Sequence, residues 1–278
     1  MRRGPRGGPG EFGSRLARAE HLLDQANGAA RGPLSVLVAV LRYQQERSTA
    51  APVAPSRPDS ERFPLLDLDA AVPAIVGEVG RAVAALHDVV PEPLREAGAH
   101  LRTLEPSPLA AVVETWVDDV TLVEPRLDFW LRVAAGPVIE RGARDIVVPD
   151  GWKGSACPVC GGQPQASVIA EEGGEFMAGS PRSLVCNRCG SWWSFPRATC
   201  VCCGEEDPRS MESFLVEERR LARVDTCATC RGYIKTFDLR ERGGVEVIPL
   251  VDDVVTLTLD IWAQQRGFTR AAASLAGV

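Results

Sequence analysis

Cys157-Pro-Val-Cys160-Gly161, Cys186-Asn-Arg-Cys189-Gly190, Cys200-Val-Cys-Cys203-Gly204 and Cys227-Ala-Thr-Cys230-Arg231 decide how the rest of the chain is read. All nine cysteines of the 278-residue sequence fall in the 74 residues from 157 to 230, and eight of them form four Cys-x-x-Cys pairs. Twenty-five residues separate the first pair from the second and 23 the third from the fourth, so one module is written twice. Two thiolates three positions apart turn towards one point when the backbone folds into a tight knuckle. Two facing knuckles then supply the four-sulfur tetrahedron that zinc prefers. Four pairs therefore predict two metal sites. Sequential pairing, first with second and third with fourth, is preferred, because each intervening stretch can run out and return as a short β excursion. Interleaved pairing is the alternative.

A knuckle needs a residue tolerant of positive φ after its second cysteine, and Gly161, Gly190 and Gly204 stand there. The fourth knuckle has Arg231 in that place, with Gly232 next. The repeat extends to an aromatic residue three positions past a knuckle, Trp192 in one half and Tyr233 in the other, expected to pack over its site. Modules this small bury too little apolar area to fold unaided, so metal binding would contribute directly to folding. Disulfides are disfavoured, since no signal peptide is read and no apolar region follows Arg2-Arg3. Zinc is preferred over iron, although mononuclear iron fits the same four-sulfur shell and would be redox-active. No thioredoxin-like setting surrounds any pair. The ninth cysteine, Cys202, reads as a passenger thiol, or more sharply as an alternate ligand or reactive thiol.

A hydrophobic content of 45% with 24% charged residues suits an ordinary soluble chain long enough for two domains. The longest apolar run, Val36 to Leu41, ends at Arg42, far short of the roughly 20 residues of a bilayer span, so no membrane insertion is expected. Residues 151–245 carry twelve Lys plus Arg and twelve Asp plus Glu; eight thiolates and two divalent ions would leave the segment at net −4. A phosphate-binding surface needs the opposite sign. The cluster Arg219, Arg220 and Arg223 adjoins Glu217 and Glu218, and no nucleic-acid partner is expected.

Ahead of the cysteines, residues 1–13 read as a basic tail. Leu16, Ala19, Leu23 and Ala26 recur at helical spacing, and a second helix follows Pro33 to about Arg47. Residues 48–60 read as a loop or linker. Further helices are expected over 72–90, 94–104, after Pro108 through Val120, and over 125–140, where Gly136-Pro137 could kink the last. Short strands are expected at 166–170, 184–185 and 222–224, and a helix over 248–262 closes the chain. His21, His87 and His100 read as surface or packing residues. Asp118-Asp119 and Asp252-Asp253 read as solvated or helix-end charges, and Trp192-Trp193 as one ring on a knuckle with the other towards a partner. No Walker loop, Rossmann fingerprint or nucleophile elbow is present.

From 157 onward these motifs, with Ala222-Arg-Val-Asp225-Thr-Cys227 running on to Gly232-Tyr233-Ile-Lys235-Thr and then Asp252-Asp253-x-x-Thr256-Leu-x-Leu259-Asp260, resemble the formate dehydrogenase accessory protein family, FdhE. The resemblance is motif-dense over 157–262 and architectural before that. It implies an α+β chain: an N-terminal helical bundle (14–150), two tandem rubredoxin-like, zinc-ribbon-type metal modules (151–245), and a C-terminal helix and tail (246–278). It further implies a cytoplasmic, non-catalytic maturation factor that binds the catalytic subunit of a formate dehydrogenase, with a homodimer allowed. The metal ligands carried over are Cys157, Cys160, Cys186, Cys189, Cys200, Cys203, Cys227 and Cys230, for two metal ions. Cys202 has no counterpart. An iron-bearing rubredoxin-like redox protein acting on the immature enzyme is the alternative.

Overall fold

The computed structural model describes residues 8–58, 62–169, 182–215, 222–240 and 246–275. The first seven residues of the basic tail, and Glu217, Glu218, Arg219 and Arg220, lie outside them. Arg223 lies inside and is paired with Asp225 and, more distantly, Asp238.

Among the described residues six α-helices fill the first half: α1 (Phe12–Gln25), α2 (Arg31–Arg47), α3 (Leu68–Leu86), α4 (Glu92–Thr103), α5 (Pro106–Asp118) and α6 (Pro125–Ala143). Prolines open α5 and α6, where a missing N–H costs nothing. The third helix starts four residues earlier than its apolar stripe suggests, because the Asp67 carboxylate accepts from Ala70 N at 3.2 Å and caps it. At the centre lies α6, buried almost continuously from Asp128 to Glu140.

The helix α6 runs through Gly136-Pro137 unbroken, and the reason lies in α2. Pro137 has no N–H to give to Val133 O four residues back. The Gln44 side-chain amide donates to that carbonyl at 3.2 Å and to Arg132 O at 3.4 Å. Only glycine leaves room for it: a Cβ at Gly136 would stand 2.3 Å from Gln44 Nε2.

Among the described residues the second half is built on one seven-stranded sheet. Strands β1 (Pro164–Ile169), β2 (Arg182–Cys186) and β3 (Trp192–Ser194) come from the first module, and β4 (Met211–Leu215), β5 (Ala222–Cys227) and β6 (Gly232–Asp238) from the second. Each module is an antiparallel meander, knuckle, two strands, knuckle, strand. The meanders, expected as tandem units, join edge to edge: β6 pairs in parallel with β1, Ala166 opposite Lys235, giving the order β3-β2-β1-β6-β5-β4. β6 is buried along nearly all its length, because Ile234 faces the cluster shared with the helices while Tyr233 and Phe237 face the cluster beneath the closing helix.

The closing helix is broken into α7 (Pro249–Asp252), a 3₁₀ turn (Asp253–Thr256) and α8 (Leu257–Gln265), and β7 (Thr269–Arg270) then pairs with β6. No helix among the described residues is long and apolar enough to cross a membrane.

Candidate metal centres

The eight paired cysteines converge as two quartets in sequential pairing, Cys157, Cys160, Cys186 and Cys189 in one, Cys200, Cys203, Cys227 and Cys230 in the other. Within each, the sulfurs lie no more than 4.8 Å apart. Close pairs are Cys157–Cys189 at 3.6 Å, Cys160–Cys186 at 3.5 Å, and Cys200–Cys230 and Cys203–Cys227 at 3.8 Å. A sulfur tetrahedron built on a zinc–thiolate bond of ~2.3 Å has edges of about 3.8 Å, and a disulfide would bring two sulfurs to about 2.05 Å. All nine cysteines are free thiols. Either quartet could hold one metal ion.

The knuckles explain how the chain makes these corners. Gly161, Gly190 and Gly204 adopt φ of 74°, 72° and 77°, and Arg231 adopts 60° in the equivalent place. In the first three, the glycine N–H returns to the carbonyl of the knuckle's first cysteine at 2.8 to 3.2 Å. Arg231 holds a backbone that side chains rarely adopt. Contacts with the chain's last segment offset that strain: its guanidinium lies 3.9 Å over the Phe268 ring and donates to Arg266 O, and its carbonyl accepts from Thr269 N at 2.8 Å. Backbone donors also face the sulfurs, Arg188 N to Cys186, Cys202 N to Cys200 and Gly232 N to Cys230, at 3.3 to 3.4 Å. Such donors favour the thiolate.

Four sulfurs this close cannot all ionise without a cation, and the thiol of the first cysteine in each second knuckle is lowered. At Cys186 burial works against ionisation, but hydrogen bonds from Cys157, Cys160 and Cys189 outweigh it and bring the thiol well below its ordinary value. Burial pushes Cys157 and Cys189 well up. At Cys227 burial is again outweighed, here by the N–H groups of Cys230 and Thr229, while burial raises Cys230.

The two settings differ. All four sulfurs of the first quartet are buried, inside the apolar cluster that runs from Trp116, Trp130 and Ile139 of the helices to Trp193 and Ile234 of the sheet. Its inner knuckle residues dock the helical half. Leu65 N and Leu66 N, in the stretch leading into α3, donate to Pro158 O and Val159 O at 3.0 and 2.8 Å. Arg188 stacks 4.2 Å over Trp116 and donates to Trp116 O at 2.9 Å. In the second quartet Cys203 is exposed and Cys230 half-buried. Its inner residues bond within the module, Ala228 N to Ser210 O at 2.8 Å and Thr229 Oγ1 to Glu205 at 2.8 Å.

Cys202 stands outside both quartets. Its sulfur turns towards Gly232, where a Cβ would come within 2.6 Å of it. The residue is exposed, yet loss of hydration at the sulfur and the neighbouring Cys200 push the thiol up to about 12. Trp192 and Tyr233 do not cover the cysteines; both join the apolar cluster beneath the closing helix, and Trp193 is the ring in the first quartet's cluster. His21, His87 and His100 take no part in either quartet.

Sequence reasoning missed one cluster. Lys235 of β6, fully buried, pairs with Asp253 at 2.7 Å and Asp260 at 2.5 Å. Arg270 of β7 pairs with the same two carboxylates at 2.6 and 3.2 Å. Tyr233 OH donates to Asp260 at 2.9 Å and Gln165 to Asp253 at 3.1 Å. Two cations thus balance two anions where no water could. Asp252, also buried, binds Arg18 of α1 and accepts Ile248 N at 2.7 Å. Asp252-Asp253 are therefore not solvated charges: they latch the closing helix to β6 and α1. The available signal was a lysine inside the β-prone run Tyr233 to Phe237, with acidic residues amid an otherwise apolar closing segment.

Two family models match the chain, the FdhE central domain over residues 156–197 and the FdhE C-terminal domain over residues 198–276. Their boundary falls between the two cysteine modules. Over residues 156–276 the chain resembles the FdhE family. A "Protein FdhE homolog" from Aquifex aeolicus (strain VF5) is 29% identical over 185 residues, 66% of this chain and 63% of the relative. Another from Haemophilus influenzae (strain PittEE) is 37% identical over 115 residues, 41% of this chain and 36% of that one. In both, the match spans less than two thirds of the relative's length. The crystal structure of the FdhE protein from Pseudomonas aeruginosa superposes with a TM-score of 0.70 at 23% identity, covering 96% of this chain and 95% of that one. That likeness extends the shared fold to the helical half.

Proposed function

We propose that this chain is a non-catalytic, cytoplasmic accessory factor that binds the catalytic subunit of a formate dehydrogenase during its maturation. Two ions, zinc in preference to iron, would be held by Cys157, Cys160, Cys186 and Cys189 and by Cys200, Cys203, Cys227 and Cys230. The observation that carries this reading is the convergence of eight thiols into two quartets sized for tetrahedral coordination, within one sheet docked on a helical bundle. An ion so enclosed in four sulfurs has no open position for substrate, which is the arrangement of a structural site. The first quartet would fix the sheet against the bundle, and the second would shape a solvent-facing surface. The test is capture of a purified formate dehydrogenase catalytic subunit by the full chain. Changing Cys186 and Cys189 together to serine is expected to remove metal from the first site and to abolish capture. Undiminished capture by the metal-depleted variant would refute the reading.

One feature favours a second reading, an iron-bearing redox protein acting on the immature enzyme. The second quartet combines N–H donors to sulfur with solvent access, the two levers that tune an iron–thiolate potential. A colourless preparation with two zinc ions per chain and full capture would remove it.

A further inference from the structure

Arg182 opens β2, in the first module, yet its side chain reaches the second. It helps to line a cavity of about 110 Å³ between the sheet and the linker that leads into the third knuckle, together with Thr199, Cys200, Arg223, Asp225 and Cys227. Nε donates to Ser167 Oγ at 2.8 Å, and Nη1 to Pro196 O at 3.3 Å and to Thr199 O at 3.1 Å, one residue before Cys200. The residue is 7% exposed. All three acceptors are neutral, and no carboxylate among the described residues pairs with the guanidinium. Asp225 is already committed: its Oδ1 accepts from Ser213 Oγ at 2.6 Å and Arg223 Nε at 2.8 Å, and its Oδ2 from Thr236 Oγ1 at 2.5 Å.

That isolation sets Arg182 apart from the other buried arginines described. Arg15 pairs with Glu140, Arg132 with Asp128, and Arg270 with Asp253 and Asp260. Arg188 donates to Trp116 O and Val117 O at the end of α5, where a helix is partly negative. A buried charge without an opposite partner is costly. A divalent ion in four thiolates keeps negative charge in excess, and Cys200 and Cys227 of the second quartet stand on the wall of the same cavity. Burial lowers the Arg182 guanidinium, and Asp225 and Cys200 act the other way. Arg231, next to Cys230, is exposed, so water screens it. We infer that Arg182 is the counter-charge of the second metal site, supplied across the module boundary by a strand of the first module. Its bonds to neutral groups hold the cation in place, and a fixed cation in a region of low dielectric offsets the excess charge of ion and thiolates. The second ion is therefore held more tightly with Arg182 present.

This inference rests on the reading of both quartets as metal sites, and the experiment separates the two. Zinc affinity of the full chain is measured by competition with a chromophoric chelator. The variant Cys203→Ser, Cys230→Ser, which keeps the first site, shows which ion is which. Two further variants split charge from hydrogen bonding: Arg182→Gln keeps donors and loses the charge, whereas Arg182→Lys keeps the charge and gives up part of the bonding. Arg182→Gln is expected to weaken the second ion by about tenfold or more and to leave the first unchanged, while Arg182→Lys matches the unaltered chain at both. Cobalt(II) in place of zinc is expected to give the same thiolate absorption in all three, which shows the sulfur corners intact. An unweakened second ion in Arg182→Gln overturns the counter-charge. So does a loss in Arg182→Lys as large as in Arg182→Gln, which would make the residue a clamp on the linker. Should Arg182→Gln fail to fold, Arg182→Lys decides alone: affinity kept supports the charge, and a loss of about tenfold overturns it. Inorganic phosphate that binds the loaded chain and not Arg182→Gln, with the second ion unweakened, assigns the cavity to an anion instead. An unaltered chain that takes up no zinc overturns the metal reading as well.

Discussion

The first quartet sends Pro158, Val159 and Arg188 into the helical half, whereas in the second Ala228 and Thr229 bond inside the module. Pro158 and Val159 receive the segment before α3, and Arg188 clasps the end of α5. Ala228 and Thr229, in the places that Asn187 and Arg188 hold in the first module, bond to Ser210 and Glu205 a few ångströms away. The same backbone corner therefore serves two ends. Cys-x-x-Cys fixes where the sulfurs go, and the two x residues decide what the corner is attached to. Where they reach the bundle, the sulfurs lie in the main core and an ion there would be part of it. Where they do not, Cys203 is exposed and Cys230 half-buried, and the latch at Lys235 takes over the work of anchoring the module.

The comparison breaks most directly at the cysteines. Changing Cys186 and Cys189 to serine is expected to cost more than about 5 kcal/mol, because a lost structural ion removes folding energy and leaves four polar groups in an apolar core. Changing Cys203 and Cys230 is expected to remove one ion and shift the global transition by less than about 2 kcal/mol, with amide protection lost locally around residues 200–230. Thermal melts, metal analysis and hydrogen exchange would compare them. Equal destabilisation would mean that the second quartet is as central as the first. A chromophoric chelator added to the intact protein should sharpen the same contrast. One ion per chain leaves from the exposed quartet at least about tenfold faster than the other, since the buried quartet opens only when core packing does.

What was legible in the sequence follows from what spacing encodes. Cysteine spacing determines local corners, so both quartets, their pairing and three of the positive-φ positions could be read in advance. Helical periodicity reports a buried stripe, so all six helices were found, though not the Asp67 cap that starts α3. Long-range choices left weaker traces. The parallel union of β1 with β6 depends on no local pattern, and β6, buried on both faces, has no alternation to betray it. Gln44 serving Pro137 spans 93 positions and looks in sequence like an ordinary polar residue of α2. The latch was misread because adjacent aspartates look solvated unless their cations are known to arrive, Arg18 of α1 at Asp252, and Lys235 and Arg270, 18 and 17 positions away, at Asp253.

If the latch and not the exposed quartet anchors the second module, Lys235→Met should be more damaging than loss of the second ion. It leaves Asp253 and Asp260 buried with Arg270 as their remaining cation, and breaking such a set from one side costs about 3 to 5 kcal/mol. Acid should show the same contrast. Burial alone would raise Asp253, but Arg270 and Lys235 hold it below the ordinary carboxylate range. A group lowered on folding stabilises the fold above its unfolded value, about 3.9, and that contribution disappears as pH falls through the lowered one. In Lys235→Met the folded value rises, so the acid transition of the closing helix should move to higher pH, followed by tryptophan fluorescence. An unchanged acid limb would place the anchor elsewhere.

The smallest effect concerns the one corner where the two modules differ in residue type. Three knuckles use glycine at positive φ and the fourth uses Arg231 at 60°. Left-handed backbone at a non-glycine residue costs about 1 to 3 kcal/mol, and Arg231→Gly would remove that strain. It would also remove the stack on Phe268 and the bond to Arg266 O, worth about 0.5 to 1 kcal/mol for the stack at an exposed site. Glycine's greater freedom in the unfolded chain adds a further cost of under about 1 kcal/mol. The terms nearly cancel, so Arg231→Gly should change stability by no more than about 1 kcal/mol in chemical denaturation while metal content stays at two ions per chain. A loss of 3 kcal/mol or more would show Arg231 to be a strut of the fold, with its strain sustained for stability. A neutral outcome leaves the arginine's role on the surface it faces, where its guanidinium lies open beside the second quartet.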